Sequence, residues 1–307
     1  MRLAVLGAGF IGLNFIRYAL NKRVDVTVLD HKVCPPDLLD KVDWVQGDFS
    51  KEESLHKALN CSDIALHFIS STVPGDVVDE SFELMQNVAS TLKLLKCCLT
   101  KKVTRVIFIS SSSVYGHQAT FPISEKASTD PIGSHGITKL SIEKYLLLYQ
   151  FHFGLDCKIL RLANPYGPGQ NIDGRQGFVA MAIGKLISGE KMFIRGDGSI
   201  VRDYIYIDDV CDALYLMCLT KSKESIFNIG SGDGHSLNSV VEHLSRLIGQ
   251  PITPEYVDNR SVDVPMSVLD ITRGKELLGF SVNYTFERGL KETLKFHKLP
   301  HSFLLEK

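Results

Sequence analysis

Arg2-Leu3-Ala4-Val5-Leu6-Gly7-Ala8-Gly9-Phe10-Ile11-Gly12-Leu13-Asn14-Phe15-Ile16 is the stretch on which the fold turns. A short apolar run suited to a strand meets glycines at 7, 9 and 12, and apolar residues at helical spacing follow. The segment therefore reads as strand, tight turn and helix. A signal peptide needs a helical apolar stretch here, which the three glycines interrupt. In this context the Gly7-x-Gly9-x-x-Gly12 pattern gains meaning. Its glycines, with Phe10 and Ile11 between them, permit the turn and a close backbone approach, and the helix start offers N–H groups and a positive dipole end to a pyrophosphate. Asp30 ends the second predicted strand, eighteen residues after Gly12. A carboxylate there accepts hydrogen bonds from both hydroxyls of an adenosine ribose and repels a 2′-phosphate, which selects NAD over NADP. Lys22 and Arg23 read as solvated charges at the helix end.

Outward from this unit, short β-branched runs (Leu3 to Leu6, Val24 to Leu29, Trp44 to Val45, Ile64 to Phe68, Val106 to Ile109, Lys158 to Leu160) alternate with amphipathic stretches. The fold class this predicts is α/β, a Rossmann-type doubly wound parallel sheet. From about Asn164 the pattern loosens into Gly and Pro clusters with short elements. We expect residues 1–165 to form the dinucleotide-binding domain and residues 166–307 a smaller α+β substrate region, with some chain crossing back to the first. The substrate should lie between them, beyond the carboxyl ends of the strands.

The 34 basic and 35 acidic side chains nearly cancel, so nothing suggests a nucleic-acid footprint. No later segment has the apolar length of a membrane span. The seven cysteines form an odd set without a CxxC pair or a His at metal-ligand spacing, which predicts no metal, reduced and mostly buried thiols, and a cytoplasmic location.

Further motifs follow in a fixed order: Gly47-Asp48, Asn87-Val88, Ser110 to Gly116 (SSSSVYG), Arg161-Leu-Ala-Asn-Pro-Tyr-Gly-Pro168, Gly196-Asp197-Gly198 with Arg202-Asp203-Tyr204, and Arg260 to Pro265 with Asp270. With the glycine loop they resemble the extended short-chain dehydrogenase/reductase family, the nucleotide-sugar epimerases and dehydratases, over nearly the whole chain. The resemblance implies that Asp48 and Phe49 flank the adenine and that Phe68, Ile69 and Ala163 line the cofactor channel. It also implies that Asn87 holds the nicotinamide half, and that Ser112 and Asn164 contact the sugar or its phosphate. Arg202 and Arg260 would grip a nucleotide-sugar diphosphate, a task that suits the planar guanidinium fork.

In that family a Ser or Thr acts with a Tyr-x-x-x-Lys on a helix, where the lysine lowers the tyrosine's pKa so that it can take a sugar hydroxyl's proton as hydride leaves. Counting from Val114, the hydroxyl falls on Ser111. The tyrosine position holds His135, and Lys139 follows four residues later on the same helical face. A neutral imidazole can also accept and return a proton, and a neighbouring lysine cation should keep it neutral. Its shorter ring can also leave it misplaced, and about 1 Å of misplacement can cost about a hundredfold. Three readings stay open: His135 works as the base, activity is weak or lost and the chain only binds NAD, or Tyr166 or Tyr115 takes over the proton.

The dehydratase branch carries Asp and Glu after the catalytic hydroxyl, where this chain has Ser112 and Ser113, so dehydration is disfavoured. The resemblance leans toward a UDP-hexose or UDP-N-acetylhexosamine 4-epimerase, with reduction of a 4-keto-6-deoxy nucleotide sugar as the alternative. It also associates the chain with polysaccharide biosynthesis. Asp79 to Leu99 and His135 to Tyr149 read as long amphipathic helices, and the equivalent pair in the family forms a four-helix contact, which predicts a homodimer.

Overall fold

In the computed structural model, residues 1–70, 79–174, 176–258 and 264–299 are described. The main sheet is built from β1 (Arg2–Leu6), β2 (Asp25–Asp30), β3 (Asp43–Gln46), β4 (Ile64–His67), β5 (Arg105–Ser111), β6 (Asp156–Leu162) and, from much later in the chain, β10 (Ile226–Ile229). Its order is β10-β6-β5-β4-β1-β2-β3, and every neighbouring pair is parallel. Alternation along each strand divides the apolar residues between two cores. Leu3 and Val5 of β1 join one core with Phe15, Val210 and Leu214, while Ala4 and Leu6 join the other with Leu55, Leu94 and Leu146. A sheet covered on both faces needs apolar residues at both strand phases, which explains the continuous hydrophobic runs in the sequence.

Helices α1 (Phe10–Asn21) and α2 (Glu52–Ala58) follow β1 and β3. After β4 come α3 (Glu80–Glu83), a π-helical segment (Leu84–Ala89) and α4 (Ser90–Lys101), one rod with a wide turn in its middle. The helix α5 (Ser134–Phe153) connects β5 to β6. Beyond β6 the chain forms β7 (Asn164–Tyr166), α6 (Phe178–Ser188), β8 (Phe193–Arg195), β9 (Val201–Tyr206) and α7 (Ile207–Leu219). After β10 it continues through β11 (Gly234–Ser236), α8 (Leu237–Ile248), β12 (Glu255–Val257), β13 (Met266–Ser267), α9 (Thr272–Leu278) and α10 (Phe286–Phe296). Strand β9 is central to a small sheet, flanked by β11 and β13 and also paired with β7.

Five of the seven cysteines are buried and Cys34 is partly so; Cys61 is exposed, which corrects the expectation of burial there. It sits with positive φ in the turn after α2, where the chain reverses at the surface. Lys22 is less free than expected, because its ammonium lies over the rings of Tyr18 and Tyr215. Among the described residues, no helix is long and apolar enough to cross a membrane, and no group of His, Cys, Asp and Glu could hold a metal ion.

Candidate active site

The strand order reverses at β1, with β2 on one side and β4 on the other, and the crevice beyond these carboxyl ends is where ligands of such sheets bind. The glycine loop fills this point. Gly7 has φ +102°, and a Cβ on it would meet Ile69; a Cβ on Gly12 would lie 2.0 Å from the Gly7 carbonyl oxygen. Both glycines are thus required by the fold itself. Gly9 differs, because a Cβ there would meet nothing within 4 Å.

Helix α1 starts at Gly9 with no side-chain cap and no acidic residue in its first turn. Its first N–H groups have no intrahelical acceptors and point toward that opening. Asp30 braces the loop, accepting from the Ala8 N–H at 2.7 Å and, through its other oxygen, from the Lys32 N–H at 2.9 Å. A donor-lined opening above a helix start, with a carboxylate at the end of the next strand, fits the pyrophosphate and ribose of a dinucleotide.

Around it stand the other residues assigned to the cofactor. Phe68 packs edge-on against Phe15, and Ile69 lies over Gly7. The exposed Asp48 accepts from the Ser50 N–H, which holds its carboxyl below the usual range, and Phe49 is buried beside it. Ala163, just past β6, is bonded through its N–H to the Ile229 carbonyl. Asn87 is buried in the π-helical segment, where its carbonyl accepts from the Thr91 hydroxyl at 2.6 Å.

The proton end of the crevice is made by β5 and α5. Ser111 is the last residue of β5, and its hydroxyl oxygen accepts from the Ser113 N–H at 3.1 Å as the chain enters the 3₁₀ turn Ser112–Tyr115. The start of α5 presses onto this turn at Gly136, where a Cβ would sit 2.7 Å from the Ser113 carbonyl oxygen. This contact brings the start of α5, whose second residue is His135, onto the serine-rich turn. One helical turn on, Lys139 is buried over the Phe108 ring and donates to the Ile109 carbonyl at 2.9 Å.

Burial first and Lys139 second push the partly buried His135 imidazole down to about 4, with Glu83 opposing. The neutral ring expected from Lys139 alone thus has burial as its larger cause. Lys139 itself is lowered by burial to about 8, while Glu143 and Glu83 pull it back up.

Two alternative proton donors are ruled out by position. Tyr115 is fully buried, its hydroxyl donates to the Asn228 amide oxygen at 2.6 Å, and burial pushes its pKa up. Tyr166 is buried in the later half and donates to the Phe286 carbonyl at 3.0 Å. Both rings are needed as core, so neither hydroxyl replaces the missing tyrosine.

The residues assigned to substrate are partly engaged within the protein. The Asn164 amide donates to the Asp203 carbonyl at 2.9 Å. Arg202 donates to the carbonyls of Val201 and Val264, which holds its guanidinium at the β9 edge. Ser112 is partly buried in the 3₁₀ turn, and Arg260 lies outside the described residues.

Several neighbours of these residues were given no role by the sequence. His67 at the end of β4 packs at a tilt between the rings of Phe49 and Phe108, and its Nε2 bonds the Thr91 hydroxyl at 2.8 Å. Beneath Lys139, Glu143 forms a buried ion pair with Arg161 at 2.7 Å and accepts from the Ser110 hydroxyl. Burial works against the Arg161 charge, but Glu143 outweighs it and holds the guanidinium above its usual pKa. Glu83 and Ser134 are hydrogen-bonded next to His135. Helical spacing puts both acids one turn from assigned residues, Glu83 before Asn87 and Glu143 after Lys139, but it does not show which groups from other elements bury them.

Residues 3–230 match the model of the NAD dependent epimerase/dehydratase family. The UDP-glucose 4-epimerase of Mycolicibacterium smegmatis is 30% identical over 309 residues, covering 97% of this chain and 99% of that protein. Among solved structures, the UDP-glucose 4-epimerase of Thermotoga maritima with UDP-glucose superposes with a TM-score of 0.91 at 32% identity, covering 97% of this chain and 98% of that one. The UDP-N-acetylglucosamine 4-epimerase of Methanobrevibacter ruminantium M1, in complex with UDP-N-acetylmuramic acid, superposes with a TM-score of 0.89 at 28% identity, covering 96% and 97%. Fold, glycine loop and matched length agree: the chain belongs to the NAD dependent epimerase/dehydratase family.

Proposed function

We propose that this chain is an NAD-dependent nucleotide-sugar 4-epimerase acting on a UDP-hexose or UDP-N-acetylhexosamine. When bound, NAD supplies a hydride acceptor that later returns the hydride to the other face of the sugar carbon. The protein's part is to bind, orient and move one proton. The loop Gly7–Gly12 and Asp30 hold the dinucleotide, aided by Asp48, Phe49, Phe68, Ile69, Asn87 and Ala163. The Ser111 hydroxyl orients the sugar's C4 hydroxyl, His135 takes and returns its proton, and Lys139 fixes the nicotinamide side. Ser112, Asn164, Arg202 and Arg260 serve the sugar and diphosphate, held between residues 1–165 and 166–307.

The observation that supports this reading is that Ser111, at the carboxyl end of β5, and the start of α5, which carries His135 and Lys139 and packs on β5 and the turn after it, lie at the same end of the sheet as the open Gly9 turn after β1. Ser112 and Ser113 add no acid, so loss of water lacks its second proton carrier, and oxidation followed by hydride return needs none.

A homodimer is supported by apolar residues on the outer side of the same two helices. Ile137, Tyr145 and Leu148 of α5 are exposed, while Ile142 and Leu146 on its other side are buried. Phe82, Leu84 and Met85 lie exposed at the start of the neighbouring rod. A helix apolar on both sides is buried on both sides in its working state. The unpaired thiols fit a reducing compartment, and we assign the chain to the cytoplasm.

The test is to incubate the purified chain, without added cofactor, with UDP-glucose and UDP-N-acetylglucosamine beside a His135→Tyr variant. Inverted product from the parent supports an epimerase with an imidazole base. Product from the variant alone means that the histidine has disabled an epimerase pocket. If neither gives product, NADH consumption with a 4-keto-6-deoxy sugar nucleotide decides for the reductase, and bound NAD without either activity for a binding protein.

A further inference from the structure

Besides Glu143, which is paired with Arg161, the reaction as proposed leaves a second acidic group at the proton end unused. Glu83, the last residue of α3, is 2% exposed, and its Oε2 accepts from the hydroxyl of Ser134, the residue before His135. A carboxylate is seldom buried so deeply unless it is held by donors or opposite charge. Helix α5 has no acidic residue in its own first turn, and its N-cap is Gly133, which offers no side chain. The carboxylate that its positive end receives therefore comes from a neighbouring helix.

The charge change during the reaction gives this placement a purpose. In the family pattern a phenolate accepts the proton and becomes neutral, so a nearby lysine cation stabilises the reactive form. With an imidazole the sign is reversed. The O–H bond at the sugar carbon breaks, its proton passes to a ring nitrogen, and the C–H electron pair leaves as hydride to the oxidised nicotinamide of NAD. The ring becomes a cation beside Lys139. On the return step it gives the proton back to the sugar oxygen as the hydride re-adds.

We infer that Glu83 is the positioning residue that allows histidine to serve at position 135: held on Ser134, its buried carboxylate offsets the positive charge that appears on the ring. This rests on the reading of His135 as the epimerase base. Among the described residues, the charged groups acting on the ring are Glu83 from α3 and Lys139 from its own helix. Lys139 in turn faces Glu143 and Glu83, and acts on His67 of β4. Burial and Lys139 both weaken the imidazole as a base, and Glu83 opposes them.

The experiment compares the full chain with Glu83→Gln, His135→Tyr and the double variant, measuring kcat and KM for UDP-glucose from pH 5 to 9. In parallel, the His135 ring is titrated by NMR on histidine-labelled protein. With His135 in place, Glu83→Gln should lower kcat about tenfold or more, change KM less than about threefold, and move the ring's titration about one unit lower. With tyrosine at 135 the same substitution should raise kcat, because the carboxylate then opposes the phenolate. Equal losses in both backgrounds would mean that Glu83 only packs α3 against α5, and would overturn the inference. So would an unchanged His135 titration.

If no variant inverts C4, the epimerase reading falls, and the titration decides whether Glu83 acts on the ring. Should Glu83→Gln not fold, Ser134→Ala releases the carboxylate while keeping its charge. It should lower kcat with tyrosine absent and not with tyrosine present; loss in both is again the overturning result.

Discussion

Around the glycine loop, the groups facing the ligand are main-chain atoms gathered from one short stretch, Gly7 to Gly12, and braced by Asp30 on the next strand. At the proton end the groups are side chains drawn from residues far apart: Glu83 and Lys139 act on His135, and Ser110, Glu143, Arg161 and His67 lie in the layer behind Lys139. The first arrangement depends on backbone geometry and on the absence of side chains. The second depends on several buried charges and polar groups whose costs are offset only while all partners are present. The cofactor end should therefore fail by steric clash, and the proton end by loss of charge balance.

The largest effect expected from this contrast lies beneath Lys139. Glu143→Gln leaves Arg161 buried with its charge unpaired, and breaking such a pair typically costs about 3–5 kcal/mol. Urea unfolding at neutral pH should show a loss of that order. A change below about 1 kcal/mol would mean that the proton end does not depend on paired charge, and the contrast between the two ends would collapse.

The cofactor end is tested by two glycines that look alike in the motif. Gly12→Ala drives a Cβ into the Gly7 carbonyl, so the helix start must shift, at about 1–3 kcal/mol of stability and with loss of bound NAD. Gly9→Ala meets nothing in the protein at an ordinary φ of −77°, so stability should stay within about 0.5 kcal/mol while NAD is still lost to the new methyl group. Thermal unfolding, read beside the nucleotide released from each variant, checks both. Equal stability losses at the two positions would contradict the steric account.

The same contrast explains what could be read from sequence. The glycine loop, Asp30 and the parallel strands were legible because each is set by local spacing: 3.6-residue or continuous apolar patterns, and glycines where the backbone must approach. Ser111 and Lys139 were legible through motif order. The burial of Tyr115 and Tyr166 was not, because each is fixed by residues more than a hundred positions away, Asn228 and Phe286. Glu83 on Ser134 was equally hidden, since a carboxylate in a helical stretch reads as a solvated charge until another helix covers it. Cys61 was misjudged for the converse reason: composition predicts burial of cysteine, while a positive-φ surface turn decides it locally.

The effect confined to acid pH, a loss absent at neutrality, concerns His67. Burial first and the Lys139 charge second lower this imidazole to about 3. The Thr91 hydroxyl donates to the Asn87 carbonyl, so His67 Nε2–H is the donor to Thr91, and the ring sits neutral between Phe49 and Phe108. In the unfolded chain a histidine takes up its proton near about 6.5. Between these two values the unfolded state binds the extra proton, so this group's contribution to stability is fully present above about pH 6.5 and is lost as the pH falls toward 3. The slope for one histidine is at most about 1.4 kcal/mol per pH unit. Unfolding midpoints of the parent and a His67→Gln variant, measured from pH 7.5 to 4.5, isolate it from other groups. The stability difference between the two should be constant above pH 6.5 and shrink steadily below it, because glutamine has no proton to gain. A difference that stays constant to pH 4.5 would show that the native ring already accepts a proton, and that the proton end tolerates an added charge as readily as the cofactor end does.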